Sequence, residues 1–450
     1  MKKSKGISNQ MDMLNGSIFD KILLFALPLA ISSILQQLFN SVDVAVVGRF
    51  ASSEALAAVG SNSSVISLLI NLFVGISVGA NVVIANYIGQ GKTEKIQDAI
   101  HNVMIISLIS GVFLLVLGLM IARPILEIMG TPENVIDLAV LYLHIYFLGM
   151  PFLMIYNFGA AVLRSKGDTK RPLYCLIISG VINACLNLLF VIVLKLSVVA
   201  IATVIADGVS AVLIIYFLMN EEETIRLRLN KLKIKKSELI KVIKIGVPAG
   251  LQGGLFSVSN VCIQTAINSF GSDAVAGSAT GLNFEYFTYF TISAFVQAAV
   301  TFTSQNYGAR NFKRCKKIFV YSMISSVVIC GLMSAIFVVW RDFFAGIYTT
   351  DKAVLEYASI RMVHVLLFEC LASSYEIGGA ALRGLGYSMT PAVLTVLGSC
   401  VFRLIWIYTV FNKFRSFEML MNVYPVSWVI TGIAVLTAYA IVRKKLFKET

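Results

Sequence analysis

The chain has 450 residues, of which 58% are hydrophobic and 14% are charged, against about 25% charged residues in an average soluble domain. A soluble protein of this length could not bury so much apolar surface in its core, so lipid is predicted to be the solvent for most of the chain. The net charge of +13 would suit a nucleic-acid partner, but the distribution of the charges gives it another meaning.

Apolar runs long enough to cross a bilayer, about 20 residues each, recur along the whole chain. The predicted spans are 22–48, 55–88, 97–122, 136–162, 172–194 and 198–220, then 243–268, 274–306, 318–340, 354–382, 391–411 and 420–442. The N-terminus carries lysines but no short apolar core followed by a small-residue cleavage site. This pattern predicts a cytoplasmic tail rather than a signal peptide.

Basic residues are distributed unequally between the two sides of this topology. With the N-terminus inside, the predicted cytoplasmic segments hold roughly four times as many lysines and arginines as the outer loops, a strong positive-inside signal. The basic character therefore indicates topology and not nucleic-acid binding. We expect a multi-pass protein of the plasma membrane, surrounded by lipid, with both termini in the cytoplasm.

One long polar connection divides the spans into two sets. Residues 221–242 begin with three glutamates and continue into a lysine-rich amphipathic segment, which predicts a cytoplasmic basic linker at the lipid headgroups. The predicted organisation is an N-terminal six-helix lobe (1–220), this linker (221–242) and a C-terminal six-helix lobe (243–450).

The two sets of spans repeat each other in sequence. "ALPLAISSILQQLFNSVD" from Ala26 aligns with "GVPAGLQGGLFSVSNVCI" from Gly246, which places Pro28 over Pro248. "ANYIGQGK" aligns with "SQNYGARN" further on, and "GAAVLRSKGDTKRP" aligns with "GGAALRGLGYSMTP". Repetition across six crossings gives both halves the same orientation. The predicted fold is all-α and integral to the membrane, with twelve transmembrane helices in two parallel-repeat six-helix bundles around a central cleft.

This duplicated arrangement favours a transporter over a channel or a membrane-bound enzyme. "GQGKTEK" at Gly89 resembles a phosphate loop, but Asn86 stands where the motif needs a glycine and no hydrophilic-domain strand precedes it. The three histidines lie on separate predicted helices without ligand spacing, and the seven cysteines form no CxxC pair. We therefore expect no catalytic residues, no cofactor and no metal other than a possible Na⁺.

Polar residues in the first half suggest a cation site. Asp43 lies deep in the first apolar span, where a carboxylate is costly and usually functional, although it could instead snorkel to the outer interface. Asn183 and Asn187 share one face of the fifth span, although such amides also serve as hydrogen-bond contacts between helices. Thr203 adds a hydroxyl early in the sixth span.

These polar residues are confined to one half. The repeat places Ile263, Phe402 and Trp406 opposite Asp43, Asn183 and Asn187 respectively. A scaffold role would tend to preserve the polar residues in both halves, so the asymmetry favours a dedicated site. A carboxylate, two amides and a hydroxyl suit a hard cation such as Na⁺. The carboxylate in a dry cavity could carry H⁺ instead.

The second half carries embedded charges of its own. Glu285 lies in the eighth span among aromatic residues, and Glu369 and Glu376 are seven residues apart in the tenth, hence near one face. Either they attract a cationic substrate to the cleft, helped by cation–π contacts, or Arg361 and Arg403 neutralise them. The predicted substrate-cleft candidates are Gln36, Gln37, Gln252, Asn260, Glu285, Gln297, Glu369 and Glu376.

Several of these motifs, in this order, resemble the multidrug and toxic compound extrusion (MATE) family over essentially the whole chain. They are Pro28 and Asp43, "LRSKGDTKRP", the pair Asn183 and Asn187, "VAIATVIA" and "GAALRGLG". The resemblance implies a secondary antiporter that exports amphipathic, often cationic, drugs or metabolites in exchange for Na⁺ or H⁺ by alternating access. It also implies a monomer with a small-molecule substrate.

The same resemblance places the family's N-lobe cation site at Asp43, Asn183, Asn187 and Thr203. Asp207, one turn beyond Thr203, departs from the uncharged polar residue common in the family. It could enlarge the cation site, supply a proton-binding group or simply face the cleft, and we include it as a cation-site candidate. A flippase of lipid-linked saccharide, or of another amphiphile, is the alternative function, because related transporters have similar topology. It predicts a cleft lined by arginine and lysine, whereas the embedded charges here are more acidic than basic.

Overall fold

A computed structural model describes residues 11–50, 53–129, 131, 133–193 and 200–447, without the side chains of 42–45, 47–50, 53–65, 68, 192 and 193. The described residues of Met1–Met13 and Ile31–Gly250 form one compact unit, and those of Leu14–Ala30 and Leu251–Thr450 form a second. The divisions at 30/31 and 250/251 fall inside helices, close to Pro28 and Pro248, and the one at 13/14 precedes the first helix. The lobe limits at 220 and 243 stay a prediction.

Among the described residues, seven α-helices precede the polar connection. They are α1 (Ile18–Phe50), α2 (Ser53–Gln90), α3 (Thr93–Ile128), α4 (Glu133–Leu148), α5 (Met150–Ser165), α6 (Lys170–Leu188) and α7 (Ala200–Met219). The predicted span 136–162 is divided between α4 and α5, which meet at 45°. Pro151 at the start of α5 explains this bend, because proline provides no backbone N–H and clashes with the preceding turn.

The second half begins with three long helices and continues in shorter pieces. The helices are α8 (Lys236–Asn268), α9 (Ser272–Gly308), α10 (Phe312–Val339), α11 (Arg341–Gly346), α12 (Lys352–His364), α13 (Ala372–Gly384), α14 (Met389–Thr395), α15 (Phe402–Trp406), α16 (Phe417–Met421) and α17 (Val423–Leu446). A 3₁₀ turn, Leu366–Leu371, separates α12 from α13. The predicted continuous span 354–382 is therefore wrong in this detail.

Corresponding π-helical turns lie in the two halves. One, Leu189–Val193, follows α6, and another, Ile407–Phe411, follows α15 at the matching place in the repeat. The second half has an additional π-helical turn at Val396–Val401. Such turns are rare in proteins, and those that occur are often found at functional sites. The π-helical turn that follows Asn187 therefore makes the C-terminal end of α6 a candidate functional region.

The repeat is also visible in the helix-ending turns. Gly91 and Arg310 hold left-handed φ values of 67° and 57° at matching places, and the next residue bonds back in the same way, from Lys92 N to Tyr87 O and from Asn311 N to Asn306 O. Gly167 and Gly386 form a second such pair, with φ of 99° and 91°. The halves therefore share backbone geometry even where their side chains differ, as the sequence repeat predicts.

Length and apolar composition identify the membrane-crossing helices. Within the described ranges, nine helices are long and apolar enough to cross a membrane, and α4 with α5 makes a tenth if the bent pair is one span. The two remaining predicted spans fall on α9 and on α12 with α13. Large apolar side chains are exposed on both units, for example Met120, Val212 and Val339, as expected when lipid is the solvent.

The polar connection is partly packed against protein. Ile225 and Leu227 are buried in the core of the first unit, and the amide of Lys235 donates to Asn102 at 3.0 Å on α3. The lysine-rich stretch from 231 to 236 is exposed, including its two apolar residues, Leu232 and Ile234. The interfacial role predicted for 221–242 therefore stays a prediction, and it concerns this exposed stretch.

Helices α2 and α8 approach each other through glycines. A Cβ added at Gly75 would lie 2.2 Å from the Cα of Gly250, and one at Gly79 would lie 2.4 Å from the carbonyl oxygen of Val242. Distances this short are sterically forbidden, so the contact depends on small residues, as is common between membrane helices.

We expect Gly75→Ala to lower the free energy of unfolding by about 1–3 kcal/mol, because the added methyl group forces α2 and α8 apart. Gly208→Ala is the control, since a Cβ there has its nearest neighbour at 4.0 Å and an alanine favours the helix. Thermal unfolding of the purified protein measures both. Equal stability of the two variants would contradict the close approach.

Candidate functional site

Three of the predicted cation-site residues are connected by hydrogen bonds across α6 and α7. The Nδ2 group of Asn187 donates to Oδ1 of Asn183 at 3.2 Å, and Nδ2 of Asn183 donates to Oγ1 of Thr203 at 3.3 Å. Both asparagines are buried, with 6% and 0% of Asn183 and Asn187 exposed. The four-residue spacing therefore places both amides on the face of α6 that contacts α7.

Helix α1 contacts α6 immediately before this set. A Cβ added at Gly180 would lie 1.9 Å from the ring of Phe39, so the absence of a side chain at Gly180 lets the ring lie against α6. Asp43 follows Phe39 by four residues in α1, and its side chain lies outside the described residues. The hypothesis that Asp43 completes the set therefore stays a prediction.

Asp207 lies on the same side of α7 as Thr203, four residues further on. Its side chain is half-buried and makes no ion pair with any described basic residue. Tyr156, which interacts electrostatically with it, donates its hydroxyl to the carbonyl of Pro172 at 3.1 Å. Whether Asp207 contributes to a cation site with the asparagine pair stays a prediction.

In the second unit, Glu285 is paired with an arginine. Both oxygens of Glu285 accept from Arg361, at 2.6 Å from Nε and 2.8 Å from Nη2, while Nη1 of Arg361 donates to Ser278 at 2.7 Å. Glu285 and Arg361 are 7% and 3% exposed. Neutralisation by arginine, one of the two readings left open by the sequence, is thus the one that the geometry favours for Glu285.

Glu369 and Glu376 occupy different surroundings. Glu369 is buried and is hydrogen-bonded to the hydroxyl of Thr288, whereas Glu376 is half-buried and interacts electrostatically with Arg383. The 3₁₀ turn that contains Glu369 changes the helical register before α13 begins. Both glutamates nevertheless interact electrostatically with Tyr289 of α9 and with Tyr375, so their placement near one face stays a prediction.

Arg403 is buried without a carboxylate partner among the described residues. Its guanidinium lies between the rings of Phe256 and Tyr424, 4.9 and 4.6 Å from their centroids, and it donates to Asn260 and Ser427. Cation–π contacts and neutral acceptors therefore stabilise this charge. Arg403 does not neutralise a described glutamate.

The remaining cleft candidates lie in both units. Gln252 is buried and accepts from Arg383 at 3.4 Å, Gln297 is half-buried in α9, and Gln37 and Gln36 of α1 are half-buried and exposed respectively. Whether these side chains line one substrate cleft stays a prediction.

A family model described as MatE matches residues 28–189 and 248–409. The two matches begin at Pro28 and Pro248, the prolines that the sequence repeat aligns. The chain belongs to the MATE family.

Known MATE proteins match this chain along most of its length. The probable multidrug resistance protein YoeA of Bacillus subtilis is 28% identical over 451 residues, 95% of each chain. A protein named FAD transporter from Shewanella oneidensis is 24% identical over 324 residues, 71% of each chain. A solved outward-facing MATE family transporter superposes with a TM-score of 0.91 at 21% identity and covers 100% of both chains. This protein is therefore a multi-pass membrane protein with the MATE transporter fold.

This MATE protein also contains a buried ion-pair network that the sequence reasoning did not identify. Lys166 and Arg171 both pair with Glu221, and Arg171 also pairs with Asp168. Asp168 accepts from the amides of Lys170 and Arg171 at the start of α6, each at 3.1 Å. The network connects the loop between α5 and α6 to Glu221, two residues beyond the end of α7. Two sequence features could have predicted this network. Asp168 lies among basic residues in "RSKGDTKRP", and an acidic run starts at Glu221.

Proposed function

We propose that this chain is a secondary active antiporter that exports amphipathic, often cationic, small molecules in exchange for Na⁺ or H⁺ by alternating access. Membership of the MATE family and relatives named as multidrug resistance proteins support the export of small molecules. The observation that carries the coupling is the hydrogen-bonded set Asn183, Asn187 and Thr203, whose two asparagines are replaced by Phe402 and Trp406 in the second half.

The position of Asp43 along α1 supports its inclusion in this set. From the contact between Phe39 and Gly180, Asp43 is four residues further along α1 and Asn183 is three residues further along α6. The corresponding rises are about 6 and 4.5 Å, and the two helices run in the same direction in the predicted topology. Asp43 therefore belongs at the level of the asparagine pair.

Na⁺ is the coupling ion that this composition favours. Amide carbonyls and a hydroxyl are ligands for a hard cation, whereas a proton needs only the carboxylate. Asp207 lies on the same side of α7 as Thr203 and provides a second carboxylate in addition to Asp43. Its negative charge would strengthen binding of a cation. We further propose that the protein acts as a monomer in the plasma membrane with both termini in the cytoplasm.

Efflux from proteoliposomes tests the function directly. We expect a Na⁺ gradient, imposed without a pH gradient or a membrane potential, to drive efflux of ethidium as a cationic probe. Efflux driven only by a pH gradient would retain antiport and replace Na⁺ with H⁺, while efflux independent of both gradients would contradict antiport. FAD is the second probe, because one relative bears the name FAD transporter.

Asn187→Ala is expected to reduce gradient-driven efflux by about tenfold or more, since a hydrogen bond or ligand to a charged group is worth about 1.5–3 kcal/mol. Asn220→Ala is the matched control, because Asn220 is exposed just after α7 and its side chain bonds, among the described residues, to the Tyr216 carbonyl. Wild-type efflux by Asn187→Ala in correctly folded protein would contradict the proposed site.

A further inference from the structure

The basic strip, residues 231–236, is exposed over its whole length. It is nevertheless held to the first unit near both of its ends. Just before it, the amide of Leu227 donates to a carbonyl of α7 at 2.9 Å, and within it the amide of Lys235 donates to Asn102 of α3 at 3.0 Å. The strip therefore has a defined place beside α3 and is not a free loop.

Most of the positive charge of the basic strip has no partner in the part of the chain that the structure describes. Of its four lysines, Lys235 pairs with Asp98 of α3. The three that form no ion pair with a described residue are Lys231, Lys233 and Lys236. The acidic run of the same linker does not compensate them, because Glu221 and Glu223 pair with other residues. The strip thus presents a concentrated positive charge, which favours an anionic partner.

Apolar side chains alternate with these lysines along the strip. Leu232 and Ile234 are 40% and 51% exposed, and each lies between two lysines in the sequence. Exposure of leucine and isoleucine to water is unfavourable. An interfacial segment instead buries its apolar side chains at the boundary of the headgroups and the acyl chains, while its basic residues contact anionic lipid. The combination of side chains therefore favours a lipid surface over a soluble anion.

The helix that follows the strip places it at the depth of the lipid headgroups. Helix α8 begins at Lys236 and is long and apolar enough to cross a membrane. Its first exposed apolar side chains are Ile240 and Ile243, and Ile240 lies four residues, or about 6 Å, from Lys236 along the helix. The headgroup region of each leaflet is about 5–7 Å thick. The strip therefore adjoins the headgroups.

We propose that the basic strip is a binding surface for anionic phospholipids of the adjoining leaflet, which is the cytoplasmic one in the predicted topology. Leu232 and Ile234 are buried below the headgroups, and Lys231, Lys233 and Lys236 contact the headgroup phosphates. Through the contacts with α7 and α3, the bound lipid fixes the linker of the first unit at the membrane surface. The inference goes beyond the proposed antiport and does not depend on it.

Fluorescence quenching in reconstituted vesicles tests this surface without any transport measurement. The full chain carries a fluorophore on Ile234→Cys, and the signal of the wild type treated with the same label is subtracted, because the native chain has cysteines. A quencher is attached to the lipid just below the headgroup. We expect stronger quenching in vesicles of phosphatidylglycerol and phosphatidylcholine than in phosphatidylcholine alone. Glu222→Cys, at an exposed acidic position of the same linker, is the matched control and should be quenched equally in both.

The lysines are tested with the same label at residue 234. The triple variant Lys231→Gln/Lys233→Gln/Lys236→Gln should weaken association of the strip with the anionic surface by about 100-fold, since each lysine near such a surface contributes about 1 kcal/mol. Its quenching should fall to the value in phosphatidylcholine. Equal quenching of the Ile234→Cys label in both vesicles, or quenching that survives the lysine substitutions, would overturn the proposal. Loss of quenching on addition of inorganic phosphate at constant ionic strength would identify a soluble-anion site and overturn it as well.

Discussion

Glu221→Gln is expected to lower the free energy of unfolding by about 3–5 kcal/mol, the cost of removing one member of a buried ion pair. Glu221 is the partner of both Lys166 and Arg171. Arg171 keeps Asp168 in the variant, whereas Lys166, which is 4% exposed, loses its described partner and remains a buried, uncompensated charge. Thermal unfolding of the purified protein measures the loss.

Glu222→Gln is the matched control for this prediction. Glu222 is the next residue in the chain, is exposed, and makes no described ion pair, so its substitution should change the stability by less than about 0.5 kcal/mol. Similar melting temperatures for the two variants would show that the network does not stabilise the connection between the loop that precedes α6 and the end of α7.

Arg361→Met is expected to destabilise the protein by about 3–5 kcal/mol, because it leaves the Glu285 carboxylate buried without its partner. Glu285→Gln should cost less, since Arg361 keeps its hydrogen bond to Ser278 and its contact with the Tyr424 ring. The double variant should be more stable than Arg361→Met alone, because both charges have been removed together.

A double-mutant cycle measured by thermal unfolding quantifies this coupling. Residues in direct contact show interaction energies of about 0.5–3 kcal/mol, and a bidentate buried pair belongs at the upper end. Additive effects of the two substitutions would contradict the pairing of Glu285 with Arg361. An equal cost for Glu285→Gln and Arg361→Met would contradict the stabilisation of Arg361 by Ser278 and Tyr424.

Spacing along one helix predicted contacts well. The four-residue separation of Asn183 and Asn187 predicted a shared face, and their side chains are hydrogen-bonded to each other. The two-half repeat was also predictable from the sequence. The matching turns at Gly167 and Gly386 have left-handed φ values, which favour glycine at both positions. Local periodicity and turn chemistry are properties of the sequence itself.

Contacts between distant helices could not be derived in this way. Arg361 and Arg403 were indistinguishable as embedded arginines, yet one pairs with Glu285 and the other lies between two aromatic rings. The 3₁₀ turn around Glu369 was also not signalled, since residues 352–377 contain neither proline nor glycine. Such features depend on tertiary packing, which local propensity does not determine.

Binding of radioactive sodium to the purified protein tests the central claim, that the polar residues of the first unit form a cation site. The wild type should bind Na⁺ saturably, and the double variant Asn183→Ala/Asn187→Ala should lose that binding while Glu369→Gln retains it. Undiminished Na⁺ binding by a folded Asn183→Ala/Asn187→Ala variant would contradict the claim.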